Sequence, residues 1–208
     1  MKASTTTFAF LAERLCLDFA NTVDWHASGH PEERLKTVAD LLKWGEDAQL
    51  LDAQTRRQLA ESAEVHPDQA EVALTRAREL REAIYRVFSA VGHDHQPTAT
   101  DLEALTQARL EAARHQHLQS GGGDFRWVWD DVPDLSRVWW PVALDAADLL
   151  TSDLRHRVGE CADDRGCGWL FLDVSKAGRR RWCSMKDCGN RAKAQRHRAT
   201  ADRSREQP

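Results

Sequence analysis

Apolar residues recur at three- and four-residue intervals through most of the chain, and these intervals predict a series of helices. Across 8–22, Leu11, Leu15 and Phe19, joined by Cys16, Leu17 and Ala20, form a wide stripe that predicts a helix at the start of the core. A polar loop with Gly29 and Pro31 follows. Val38, Leu41, Leu42 and Trp44 predict a second helix, which Gly45 weakens or ends, and a third begins at Asp52 as its N-cap. Pro67 and Asp68 open a long helix carried by Ala70, Leu74, Ala77, Leu80, Ile84, Val87, Phe88 and Val91, stopped by Gly92 and Pro97. Thr100, with Glu103 three residues later, reads as a capping box for a helix through Leu102, Leu105 and Leu110. Gly121-Gly122-Gly123 ends that region.

The period then changes. Phe125-Arg126-Trp127-Val128-Trp129 and Ser136-Arg137-Val138-Trp139-Trp140 are short aromatic and β-branched runs separated by Asp130-Asp131-Val132-Pro133-Asp134, so a hairpin is predicted between them. Pro141 sits near the start of an amphipathic helix with Val142, Leu144, Ala147, Leu149, Leu150 and Leu154. There is no internal repeat and no long linker. The expected fold is mainly α with a small β element, an α+β domain over 1–157 that senses a signal or dimerises, followed by a small module over 158–208.

Of the 208 residues, 41% are hydrophobic and 30% charged, enough for a real core and too apolar for a disordered chain. The formal charge of −4 conceals a division: from Arg155 onward there are 14 Lys and Arg against 7 Asp and Glu, leaving 15 against 26 before it. A basic tail on an acidic body is the electrostatic footprint of polyanion binding through the tail. Near the N-terminus, Phe8-Ala9-Phe10-Leu11 is followed by Glu13, Arg14 and Asp18, which break the apolar run before signal or membrane-spanning length. The expectation is a soluble, cytoplasmic, nucleoid-associated protein with no membrane partner.

Four of the five cysteines, Cys161, Cys167, Cys183 and Cys188, form a C-x5-C-x15-C-x4-C array. Two close pairs bring four thiolates from two turns onto one tetrahedral zinc, and clustering of this kind suits a reducing compartment better than a disulfide framework. One Zn2+ per chain is expected, with chelation unfolding the C-terminal module. Four thiolates close the coordination sphere, which points to a structural metal, since catalysis needs an open position. The first gap is longer than usual, so His156, His197 and Asp163 stand as alternative ligands. Trp169-Leu170-Phe171-Leu172-Asp173-Val174 reads as a strand, giving a zinc-ribbon or treble-clef-like layout in which Trp169 and Trp182 pack over the site. Cys16, between Leu15 and Leu17, reads as a buried apolar residue.

These residues carry a resemblance. Cys161, Cys167, Trp169-Leu170-Phe171-Leu172-Asp173-Val174-Ser175, Arg180-Arg181-Trp182-Cys183-Ser184-Met185 and Cys188-Gly189-Asn190-Arg191-Ala192-Lys193 resemble the CGNR zinc-finger family over roughly 158–198. Leu17-Asp18-Phe19-Ala20-Asn21-Thr22 resembles the opening of the ABATE domain, which typically precedes that finger. The resemblance implies a DNA-binding module in a stress-responsive bacterial transcription regulator.

Beyond Asn190, which reads as an N-cap, alternating alanines and cations predict a helix without a broad apolar face. Arg179, Arg180, Arg181, Lys186, Arg191, Lys193, Arg196 and Arg198 are the candidate contacts to duplex DNA, mostly to phosphates. A solvated charged tail is the alternative, and Asn190 and Arg191 have a second reading as braces of the zinc turn. Asp18, Asn21 and Trp25 are candidates to line a pocket for a small-molecule effector, with tying of the helix end as the alternative for the first two. The histidine pairs at His93, His95 and at His115, His117 read as polar loops beside helix ends. Without a phosphate loop, nucleophile elbow or metalloprotease histidine pair, enzymatic function is not expected. Competing readings are a zinc-stabilised protein-interaction module and a thiol-based redox sensor. A homodimer is the remaining partner expectation.

Overall fold

The computed structural model describes residues 4–205, and their side chains as far as 198. Seven helices and three two-stranded antiparallel sheets appear among them. The helices are α1 (Leu15–Ala20), α2 (Val38–Asp47), α3 (Ala53–Val65), α4 (Pro67–Gly92), α5 (Ala99–Arg114), α6 (Trp140–Thr151) and α7 (Asn190–Arg205). The strands are β1 (Val23–Asp24), β2 (Glu32–Glu33), β3 (Gln116–Gly121), β4 (Asp124–Trp129), β5 (Val158–Glu160) and β6 (Leu170–Leu172). The protein is α+β, with a cysteine-bearing module and a terminal helix after the helical body.

Several boundaries depart from the sequence pattern, each for a local reason. The predicted helix over 8–22 shrinks to α1, because Glu13 takes a left-handed φ of 64° and the N–H groups of Leu11 and Ala12 donate to Asp18 Oδ1 at 2.8 and 2.9 Å. Gly45 neither ends nor breaks α2: a Cβ there would sit 3.0 Å from Leu51, so glycine lets a neighbour pack closely. A capping box of Thr37 and Asp40 starts this helix, and Asp52 caps α3 as expected. The cap of α5 is Thr98, not Thr100; its side chain accepts from Asp101 N at 3.1 Å and donates to Asp101 Oδ2 at 2.8 Å.

The largest correction concerns the aromatic runs. Phe125 to Trp129 pair with the preceding strand β3, and Gly122 and Gly123 at φ 63° and 91° make the two-residue turn. Ser136 to Trp140 form no strand. Asp134 accepts from Ser136 N at 2.8 Å and starts a 3-10 turn, Leu135–Val138, after which Pro141 occupies the first turn of α6.

Helix α1 is short and buried on nearly every side, packed between α4 and α6, which explains why its residues other than Asp18 are apolar. Its core continues into β5 and β6: Val158, Leu170 and Leu172 are buried in the same cluster as Leu17, Phe19, Ile84, Phe88 and Trp140. Side chains alternate along a strand, so Phe171 between them faces the other way, into a second cluster made with the four array cysteines. Strand β6 is thus buried on both faces. Among the described residues no helix is long and apolar enough to cross a membrane.

Candidate metal centre

The hairpin β5–β6 positions the first pair of thiols. Cys161 directly follows β5, and its N–H donates to Trp169 O at 2.9 Å, extending the ladder by one step before the loop that carries Cys167. This loop lies hard against the segment after β1. Gly166 and Gly168 hold φ of 85° and 68°, and a Cβ on either would fall 2.7 Å from Ser28 Cα or 2.6 Å from Ala27 N. His26 N donates to Cys167 O at 3.0 Å across the same contact. Only glycine supplies both the backbone conformation and the close approach.

The second pair comes from the chain entering α7. Ala162 N donates to Arg181 O at 2.9 Å and brings Cys183 beside the first loop. Cys188 lies in a π-helical turn, Met185–Gly189, whose start is fixed by Ser184 accepting from Asp187 N. A β-hairpin followed by a turn that opens a helix is the treble-clef-like layout expected from the sequence.

All four sulfurs lie within 4.8 Å of one another, with Cys167 to Cys183 at 3.7 Å and Cys183 to Cys188 at 3.6 Å. A tetrahedron with Zn–S arms of ~2.3 Å separates its corners by about 3.8 Å. The sulfurs are therefore spaced for one shared ion and too far apart for disulfides, and all four cysteines are free. The four thiols form a single Zn2+ site. Hydrogen bonds to Cys161 and Cys167, then burial, push Cys183 well above the ordinary thiol range, burial and repulsion from Cys167 and Cys161 push Cys188 up, and Cys161 is pulled down as Cys167 and Cys183 donate to it. Four thiolates in one buried pocket need a divalent cation to ionise together. The alternative ligands His156 and His197 lie outside this cluster, and Asp163 is engaged by Arg191.

Around the sulfurs sits a shell that the sequence hinted at only in part. Arg191 donates to Asp163 Oδ2 at 2.6 and 2.9 Å and to Cys188 Sγ at 2.8 Å. Its guanidinium lies 5.3 Å from the Trp25 ring, which Arg165 approaches at 5.0 Å. Asn190 Nδ2 donates back to Lys186 O at 3.0 Å. Both residues thus occupy the bracing positions that were one of their two sequence readings. Trp169 packs against the centre with its indole N–H on Val23 O at 2.9 Å, and Trp182 packs there too.

The other candidate cations divide. Arg180 is turned inward: its guanidinium donates to the carbonyls of Trp182, Leu172, Leu11 and Cys183 and stacks 4.5 Å from the Phe171 ring. It ties the N-terminal segment to the loop that carries Cys183. Arg179, Arg181, Lys186, Lys193, Arg196 and Arg198 are exposed, Arg181 lying over the Trp182 ring at 5.3 Å. Arg203 and Arg205 of the predicted basic helix have side chains outside the described residues.

Asp18, Asn21 and Trp25 do not line one pocket together. Trp25 borders a cavity of about 210 Å3 beside the cysteines. Asp18 and Asn21 border another of about 150 Å3 with Thr22, Arg34 and Trp169. Both polar groups already have partners: Asp18 accepts from Leu11 and Ala12, and Asn21 pairs with both the N–H and the carbonyl of Leu170 at 2.8 and 2.9 Å. His115 and His117 hydrogen-bond with Asp130. Sequence reasoning missed Asp163 as a partner of Arg191. A carboxylate two residues after a ligand cysteine carries no signal until the turn folds.

Comparison with known families agrees with this geometry. Residues 13–153 match the ABATE family model, described as "putative stress-induced transcription regulator", and residues 157–201 match the CGNR zinc finger model. A search of the curated proteins found no match.

Proposed function

Because the chain belongs to the ABATE family and continues into a CGNR zinc finger, we propose that it is a transcription regulator whose zinc-organised module binds duplex DNA. The observation that carries this reading is the anchoring of α7. Arg191 on Asp163 and Gln195 on Asp164, the latter at 2.5 Å, fasten one face of the helix to the loop between Cys161 and Cys167. At 100° per residue, Lys193 and Arg196 project from the opposite face, and both are exposed. The sequence from Asn190 to Ala201 contains no acidic residue.

The four thiolates hold a cationic helix at a fixed place on the surface, with Arg179, Arg181 and Lys186 exposed on the segments leading to it. Such a device contacts phosphates, and base edges only where the helix enters a groove. A closed four-thiolate site also leaves no position for water on the metal, which supports a structural role for the ion in holding the binding surface. The stress response named for the family would act through the helical body, which shares a core with β5 and β6.

Binding to a fluorescent duplex at increasing salt tests the reading. Log affinity should fall linearly with log salt, and reversing charge at Arg181 and Lys193 together should weaken binding at least about tenfold and flatten that slope. Binding that ignores salt, or capture of an acidic protein with no duplex bound, would replace DNA with another partner.

A further inference from the structure

Outside the metal module, the β3–β4 hairpin presents an apolar face to water. Its register pairs Leu118 with Trp127 and Ser120 with Phe125 directly across the strands, so Leu118, Phe125 and Trp127 share one face. They are 59%, 77% and 61% exposed. At the base of the same face Trp129, partly buried, lies 5.7 Å from the fully buried Trp140, so an aromatic stripe runs from the core out along the hairpin. The opposite face is polar, with Gln119 accepting from Arg126 at 2.8 Å. Apolar on one face and polar on the other is the pattern of a sheet covered on one side.

We propose that a second copy of this chain covers it, the two hairpins packing face to face about a two-fold axis. The charge pattern favours a second copy over other partners. In a chain of which 30% is charged, the twelve strand residues hold one Asp and one Arg, Asp124 and Arg126, so the hairpin offers no attraction to DNA or to an anionic lipid surface. A neutral apolar face is self-complementary under two-fold symmetry.

The area is sufficient for a reversible dimer. The three exposed side chains leave roughly 400 Å2 open, the patch size that marks interaction surfaces. Two copies bury about 800 Å2 from these groups alone, and Ser120, Gln116 and the strand backbones bring the total towards the ~1,000 Å2 of a specific interface. An interface at this lower bound belongs to the weak, reversible class. This assignment is independent of DNA binding.

Sedimentation velocity of the full-length, zinc-loaded chain from about 1 to 200 µM tests it. The wild type should move from its 23.6 kDa monomer towards twice that mass as concentration rises. The pair F125K and W127K should shift the midpoint by roughly a hundredfold or more while keeping one zinc per chain and its helical circular dichroism. Amide exchange over residues 116–129 of the wild type should slow with concentration, a readout that needs no variant. A wild type that stays monomeric throughout, or a variant that associates as well as the wild type, overturns the proposal. Co-flotation of the monomer with phosphatidylcholine vesicles, lost in the variant, would assign the face to a membrane instead.

Discussion

Asn21 does with its side chain what a neighbouring strand would do with a peptide unit, giving one donor and one acceptor to the backbone of Leu170. Replacing it with leucine strands both buried groups, and a loss of about 2–4 kcal/mol is expected in urea unfolding. Asp18 sets a different test. Burial raises its carboxyl from 3.8 to about 6, against the opposing pull of the Ala12 and Leu11 N–H groups. The folded chain therefore holds this proton more tightly than the unfolded one. Its contribution to stability is complete below about pH 4 and is lost as pH rises through about 6. Both N–H groups donate to Oδ1, which asparagine retains. Asp18→Asn should stabilise the protein above pH 6 by on the order of 1 kcal/mol and flatten the pH dependence of its melting temperature between 4 and 6. A carboxyl resonance of Asp18 titrating below pH 4 would show that the hydrogen bonds outweigh burial. The sequence marked Asp18 and Asn21 as polar groups beside an apolar helix, and tying the chain was among their readings. Arg180 was indistinguishable there from its neighbours Arg179 and Arg181, because its four carbonyl partners come from three separate segments.

At the scale of elements, the long helix α4 with Pro67 in its first turn, the cap at Asp52, and the strand through Phe171 were legible because periodicity and end signals agree locally. The hairpin was misassigned for an equally physical reason. β3 reads Gln-His-Leu-Gln-Ser-Gly, with almost no β-branched or aromatic residue, so the strand is set by its partner and by the Gly122-Gly123 turn instead of by propensity. The Trp139-Trp140 run attracted a strand assignment, whereas Asp134 and Pro141 direct it into helix. Strand β5 offers a sharp test of element packing. A Cβ on Gly159 would lie 2.8 Å from the Phe171 ring, the side chain that separates the cysteine cluster from the main core. Gly159→Ala should cost about 1–3 kcal/mol, and Gly159→Ala with Phe171→Leu should recover part of it; additivity of the two losses would contradict the packing.

At the scale of the molecule, the metal module and the helical body are not separable lobes. Leu170 and Leu172 point into the body's core, Phe171 into the metal cluster, and Arg180 and Asn21 cross between them. Chelation should therefore do more than unfold a C-terminal module. A single cooperative transition, with loss of near-ultraviolet signal from the buried Trp44 and Trp140 as well as from Trp169, is expected to move to lower temperature when zinc is removed. A body that melts unchanged without zinc would mean that the shared core contributes little. The array cysteines thus organise more than the residues between them, and the exposed cations of α7 depend on that organisation for their position. The most direct test is the anisotropy of a labelled duplex with zinc-loaded, chelated and zinc-restored protein, metal content being measured in each sample. Salt-sensitive binding that is lost on chelation and returns at one zinc per chain is the predicted result; undiminished binding by protein shown to be free of zinc would contradict the account.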